Sequence, residues 1–221
     1  MKLTVNSSYA VLLLCLFTNV FEVSGHARLI DPPSRNSAWR FGHGTPPDYN
    51  DHGDSVWCGG RWGSNEGRSC GICGDPPNGH KNNEVGGKFF TGKIVKSYNE
   101  GETIDVRIEV TAAHHKSWWE IKVCPATSNH HEVSQGCLDS NTLDIEHHGR
   151  RYNMPFRSGV HHLRVRLPNG MRCDRCVLQW TWHSEDTREM YRACSDIKVG
   201  HGGTSGGHGG GNGGHCLGHG K

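Results

Sequence analysis

Ile104-Asp105-Val106-Arg107-Ile108-Glu109-Val110 alternates apolar and charged side chains without a break. A period of two places the four apolar residues on one face and the three charges on the other, which is a strand with one side against a core. The alternation returns along the chain. Trp119, Ile121 and Val123 are set against Glu120 and Lys122; Leu163, Val165 and Leu167 against Arg164 and Arg166; Leu178, Trp180 and Trp182 against Gln179 and Thr181. Ile197 and Val199 close the series. No segment carries helical periodicity over the ~12 residues that a self-supporting helix needs. Half-buried strands joined by turn-rich connections predict an all-β fold, an antiparallel β-sandwich with function carried on its loops.

Before these strands, from His26 to about Asp75, the chain is rich in Gly, Pro, Asn and Asp, with scattered aromatics Trp39, Phe41, Tyr49, Trp57 and Trp62. Pro32-Pro33, Pro46-Pro47 and Pro76-Pro77 oppose both helix and central strand. This stretch reads as ordered loop held by disulfides. Eight cysteines serve that purpose: Cys58, Cys70, Cys73, Cys124, Cys137, Cys173, Cys176 and Cys194. An even number in an exported domain predicts four disulfides, with connectivity left open. The competing reading is a structural zinc site built from Cys70-x-x-Cys73 and Cys173-x-x-Cys176.

Export is itself a prediction from the first 25 residues. Lys2, the apolar run from Ala10 to Phe17, and Val23-Ser24-Gly25 read as a secretory signal cleaved after Gly25. The run is too short to span a bilayer, which takes ~20 apolar residues. Residues 26–199 then form one domain. The tail from Gly200 to Lys221 contains 12 Gly and four His among its 22 residues, and is expected to be disordered. Cys216 is left over in it. The formal net charge is +2, with no long basic run, so nucleic acid is excluded as a partner. The expected product is a secreted monomer with no membrane association once the signal is removed.

Cleavage after Gly25 would make His26 the first residue. A terminal histidine can chelate one metal through its imidazole Nδ1 and its own α-amine, whose pKa near 8 makes deprotonation inexpensive. Copper(II) favours such nitrogen donors in planar arrangements. A second histidine in space would complete three nitrogens, a histidine brace. His114 shares the parity of Val106, Ile108 and Val110 and extends their face if the strand runs straight, whereas His115 points the other way. The pairs His130-His131, His147-His148 and His161-His162 also compete. A phenol could block one axial position, but spacing does not separate Tyr191 from Tyr152 or Tyr98.

The start His26-Ala27-Arg28-Leu29-Ile30-Asp31-Pro32-Pro33-Ser34-Arg35-Asn36 resembles the opening of auxiliary activity family 15 lytic polysaccharide monooxygenases. So do Trp39-Arg40-Phe41-Gly42, Asn50-Asp51, Cys58-Gly59-Gly60 and Cys70-Gly71-Ile72-Cys73-Gly74-Asp75. The similarity continues through Gly101 to Val106, Thr111-Ala112-Ala113-His114, Arg166-Leu167-Pro168, Cys173 to Thr181, and Tyr191-Arg192-Ala193-Cys194-Ser195-Asp196-Ile197. These blocks run in order through nearly all of 26–199.

The resemblance implies an immunoglobulin-like sandwich with long disulfide-stapled loops and a flat substrate face. It implies one copper ion held by His26 and His114, with Tyr191 axial. It further implies an oxidase that takes electrons from an external donor, uses oxygen or hydrogen peroxide, and breaks glycosidic bonds of crystalline chitin, or of cellulose, by oxidation at C1 or C4. Two departures stand out: Ala113 occupies a position that is commonly Asn, and His115-Lys116-Ser117 replaces a usual Gly, which keeps His115 in reserve. Trp39, Trp57, Trp62 and Trp118 are candidates for sugar stacking. A non-catalytic module that binds chitin or copper is the alternative function.

Overall fold

The computed structural model describes residues 26–53, 56–61 and 70–201. The predicted signal segment, Trp62 and the tail beyond His201 with Cys216 lie outside these residues.

Among the described residues ten strands form two sheets. The first has the order β1 (His26–Asp31), β4 (Thr103–Ala112), β8 (Gly159–Arg166), β6 (Asp144–Ile145). The second has the order β2 (Trp57–Arg61), β10 (Glu189–Gly200), β9 (Cys173–Ser184), β5 (Ser117–Pro125), β7 (Tyr152–Met154). In this sheet β3 (Lys96–Asn99) also pairs with β10, and that pairing is parallel while all others are antiparallel. A 3-10 turn at Ala38–Phe41 and one helix, α1 (Gln135–Ser140), are the helical elements among the described residues. No helix among them is long and apolar enough to cross a membrane.

The predicted all-β sandwich is what forms, and period-two alternation explains it. Ile104, Val106, Ile108 and Val110 point inward and meet Ile121, Val123, Leu178, Trp180 and Trp182 from the facing sheet. Trp119, Trp180 and Trp182 are fully buried, and rings of this size dominate the burial term in a core of this kind.

The reading of 26–75 as loop needs correction at two places. His26–Asp31 is a strand against β4, and Trp57–Arg61 pairs with the start of β10. β1 contributes only Ala27 and Leu29 to the core before Pro32, so its alternation is too brief to register as a period. The strand closing the domain runs to Gly200, one residue into the Gly-rich stretch.

Among the described residues four disulfides form: Cys58–Cys70, Cys73–Cys194, Cys124–Cys137 and Cys173–Cys176. Every thiol of the hypothetical zinc site is consumed, which removes that reading. Cys73–Cys194 ties the loop after β2 to β10, and so fixes long loops to the sheet beneath the predicted site.

Candidate metal centre

His26 opens β1 and lies opposite Ala112, the last residue of β4. Antiparallel neighbours sit about 5 Å apart, so this register brings His26 to the same end of the sandwich as the turn after β4. Two hydrogen bonds seat it: Ala27 N–H donates to His52 O at 2.8 Å, and Thr111 Oγ1 donates to His26 O at 3.3 Å. The His26 ring stands edge-on to that of His52, with centroids 5.5 Å apart. It also lies against Gly53, where a Cβ would come within 3.2 Å of His26 Cδ2 and 3.4 Å of Nε2.

The loop that carries His52 and Gly53 is organised by Asp51, which is completely buried. Its carboxylate accepts from Arg28 at 3.0 Å and Arg40 at 2.6 Å, and lies 3.3 Å from His52 Nδ1. Two guanidiniums around one buried carboxylate leave it no uncompensated charge and hold the loop against β1.

His114 stands two residues beyond β4 and is only 4 % exposed, so the parity inferred from Val106 to Val110 is preserved. Ser117 Oγ donates to its carbonyl at 3.1 Å and closes the turn into β5. Its ring packs against Trp182 at 5.5 Å and Tyr191 at 6.4 Å between centroids. Nε2 lies 2.8 Å from Glu189 Oε2, but off the line a hydrogen bond needs, so this buried nitrogen has no aligned hydrogen-bond partner among the described residues.

Tyr191, on β10 between Trp57 and Trp182, is fully buried and stacks on Trp182 with centroids 4.9 Å apart. Its hydroxyl donates to Glu189 Oε2 at 3.0 Å, and Thr187 Oγ1 donates to the same oxygen at 3.0 Å. Burial pushes the Glu189 carboxyl up, but the contacts from His114, Thr187 and Tyr191 outweigh it and hold the group below the usual carboxylate range. An ionised carboxylate therefore stands beside the His114 imidazole and the phenol.

Sequence reasoning missed Glu189. The signal was available: it lies two residues before Tyr191 and so shares its face of the strand.

The remaining candidates are separated from this group. His115 points outward and stacks on Phe156. His130 and His131 follow the far end of β5, and Tyr98 lies on β3 opposite Val199, at that same far end. His161 is buried on β8, 3.4 Å from Tyr152 Oη. Of the tryptophans, Trp39 bonds Asp48 O through its N–H at 3.2 Å beneath the Arg40 guanidinium. Trp57 packs against the core, and Trp118 is held between His183 and Arg151.

No group of three or more His, Cys, Asp or Glu side chains suited to a metal occurs among the described residues. A site of two imidazoles completed by a main-chain amine is not such a cluster. The donors at this end are nitrogens of two histidines with a phenol and a carboxylate behind them, a set suited to copper and poor for calcium or magnesium.

Comparison with known proteins bears on the whole domain. A family model described as lytic polysaccharide mono-oxygenase, cellulose-degrading, matches residues 26–197. Among solved structures, the chain is similar to an AA15 lytic polysaccharide monooxygenase from Thermobia domestica in the Cu(I) state. The identity is 33%, with 79% of this chain and 98% of that one covered, at a TM-score of 0.70. A chitin binding domain from Burkholderia pseudomallei shares the fold at 14% identity, covering 80% of this chain and 100% of that one, at a TM-score of 0.53. No curated protein sequence gives a significant match. With a family match across 26–197 and a solved structure 33% identical over most of both chains, the chain belongs to the lytic polysaccharide mono-oxygenases.

Proposed function

We propose that this protein is a secreted copper enzyme that oxidatively cleaves crystalline chitin, with cellulose as the second polymer to test. Its single copper ion would be held by the α-amine and imidazole of His26 and by the imidazole of His114, with the Tyr191 phenol beside them. The observation that carries this reading is the register of β1 on β4: His26 pairs with Ala112, two residues from His114, at the end of the sandwich where Tyr191 is buried. The near-complete burial of His114 against Trp182 and Tyr191 supports it, because a ligand imidazole has to be held in one orientation.

Copper supplies the one-electron chemistry that activates oxygen or hydrogen peroxide after reduction by an external donor. The chain's own residues do the rest. Asp51, clamped by Arg28 and Arg40, holds the loop against His26. Trp182 and Tyr191 close the inner side of the site to water, and Glu189 takes the Tyr191 hydroxyl proton as a hydrogen bond, so the phenol stays oriented. A flat substrate face, which the family resemblance implies, would suit a crystal surface from which no chain need be withdrawn.

Two measurements test the proposal. Secreted protein should begin at His26, bind one copper per chain, and give the EPR spectrum of Cu(II) in a planar nitrogen field. With ascorbate and β-chitin or crystalline cellulose it should release oligosaccharides whose masses report oxidation. A different first residue, or an acylated one, ends the brace. Copper binding without oxidised products would favour a binding module.

A further inference from the structure

Phe156 is 57 % exposed, an uncommon setting for a large apolar side chain in this domain, and it is not free to fold down onto the surface. Its ring stacks on His115, with centroids 3.5 Å apart and planes 19° from parallel. The segment beneath it, between β7 and β8, is pinned at two points and tightened by a bond of its own. Ser158 Oγ donates to Thr111 O at 3.3 Å, Arg157 N–H donates to Pro155 O at 2.7 Å, and His161 Nε2 lies 3.2 Å from Arg157 O. A carbonyl can only accept, so Nε2 of His161 carries the proton and Nδ1 accepts from Tyr152 Oη at 3.4 Å. Burial lowers the His161 pKa and keeps this neutral tautomer in place.

Position gives the stack its meaning. In the first sheet the order is β1, β4, β8. His26 sits at the end of β1, His114 just past β4, and the Phe156 segment leads into β8, whose Gly159 pairs with Val110. Phe156 and His115 therefore flank the metal residues on one side, while the exposed Tyr49, edge-on to Trp39, belongs to the loop that flanks them on the other. The stretch His115-Lys116-Ser117 replaces a glycine usual in the resembling family, and the stack is built on its first residue.

We propose that the His115–Phe156 stack is a sugar-ring subsite on the β8 side of the metal. It receives one pyranose face of the β-1,4-linked polymer, in continuity with the site and resting on the function proposed above. A pyranose in such a polymer presents C–H bonds perpendicular to its ring, and these pack on the negative face of an aromatic ring. Preorganising that ring by stacking removes an ordering cost that a lone exposed Phe would meet on binding.

The test uses full-length secreted protein loaded with copper, without reductant, on β-chitin and crystalline cellulose suspensions. On the polymer that wild type oxidises, F156A should raise the apparent Kd about five- to tenfold, and F156W should restore binding, with the EPR spectrum of Cu(II) unchanged in both. Wild-type affinity in F156A overturns the subsite while leaving the copper reading intact, and so does an altered EPR spectrum or failure of rescue. Loss of a concentration-dependent dimer in F156A would make a second copy the occupant and also overturn it. A wild type that holds copper but neither binds nor oxidises either polymer removes the polysaccharide reading together with the subsite.

Discussion

His114 illustrates what one residue contributes when two neighbours depend on it. Its imidazole is held by packing on Trp182 and Tyr191, and its Nε2 faces Glu189 at 2.8 Å. Replacing it with Ala removes a proposed ligand outright. Because even a residue that merely supports a ligand is worth roughly 10- to 100-fold in metal affinity, the loss in H114A should exceed about 100-fold. Copper titration with EPR checks this, and unchanged affinity would transfer the role to another histidine. Tyr191 predicts a different outcome. Phe in its place keeps the stacking on Trp182 and deletes the hydrogen bond to Glu189, so stability should fall by about 1 kcal/mol while copper stays bound with an altered EPR spectrum. These residues were not equally legible. Strand parity favoured His114 over His115, because a period of two carries past the end of a straight strand, but three other histidine pairs still competed and resemblance made the choice. Tyr191 could not be told from Tyr152 or Tyr98 by any local rule, and only resemblance favoured it. Glu189 was overlooked because a Glu on a strand usually faces water, and its burial depends on Thr187 and on two rings from elsewhere in the chain.

The strands show the same contrast at the scale of elements. β4, β5, β8 and β9 were legible because each buries several alternating apolar residues, whereas β1 buries two and β3 little more than Tyr98. What orders the loops was not legible at all, because it is a buried ion cluster assembled from distant segments. Arg35 binds Asp196 through Nε at 2.7 Å and Nη2 at 2.8 Å, and Glu132 through Nη1 at 2.5 Å; Arg175 reaches Asp196 at 3.1 Å. Both guanidiniums lie over the Phe90 ring. The Arg35 side chain is 3 % exposed, so R35M would leave the buried Asp196 with Arg175 alone and the half-buried Glu132 without its guanidinium, and should destabilise the domain by about 3–5 kcal/mol, read from chemical denaturation. Asp75 in the adjoining loop behaves differently. Burial raises its pKa to about 6, against the lowering effect of hydrogen bonds from Asn83. The folded state therefore keeps a proton that the unfolded chain releases at lower pH, and stability falls as pH rises from the unfolded value near 4 to about 6. An Asn there can still accept from Asn83, so the melting temperature of D75N should gain on wild type over that interval and stay level above it. A constant difference from pH 4 to 7 would refute the assignment.

For the whole molecule, the constraint to weigh is covalent. Eight cysteines announced four bridges, but 105 pairings were open, since pairing is decided by which loops the finished sandwich brings together. The pairs that form close loops of very different size: 121 residues for Cys73–Cys194, 13 for Cys124–Cys137, 12 for Cys58–Cys70 and 3 for Cys173–Cys176. If the main effect of a bridge is to restrict the unfolded chain, its contribution grows with the logarithm of that loop. The chain-entropy expression gives about 5 kcal/mol for the first, about 3 kcal/mol for each of the next two, and less than about 2 kcal/mol for the last. Paired Cys→Ser variants should therefore lose stability in that order in urea. The Cys73–Cys194 variant should also lose copper-site order, because the bridge ties the Cys70–Asp75 loop to the strand that carries Glu189 and Tyr191. A loss from the Cys173–Cys176 variant equal to that from Cys73–Cys194 would show instead that native packing around each sulfur, not loop closure, sets its worth.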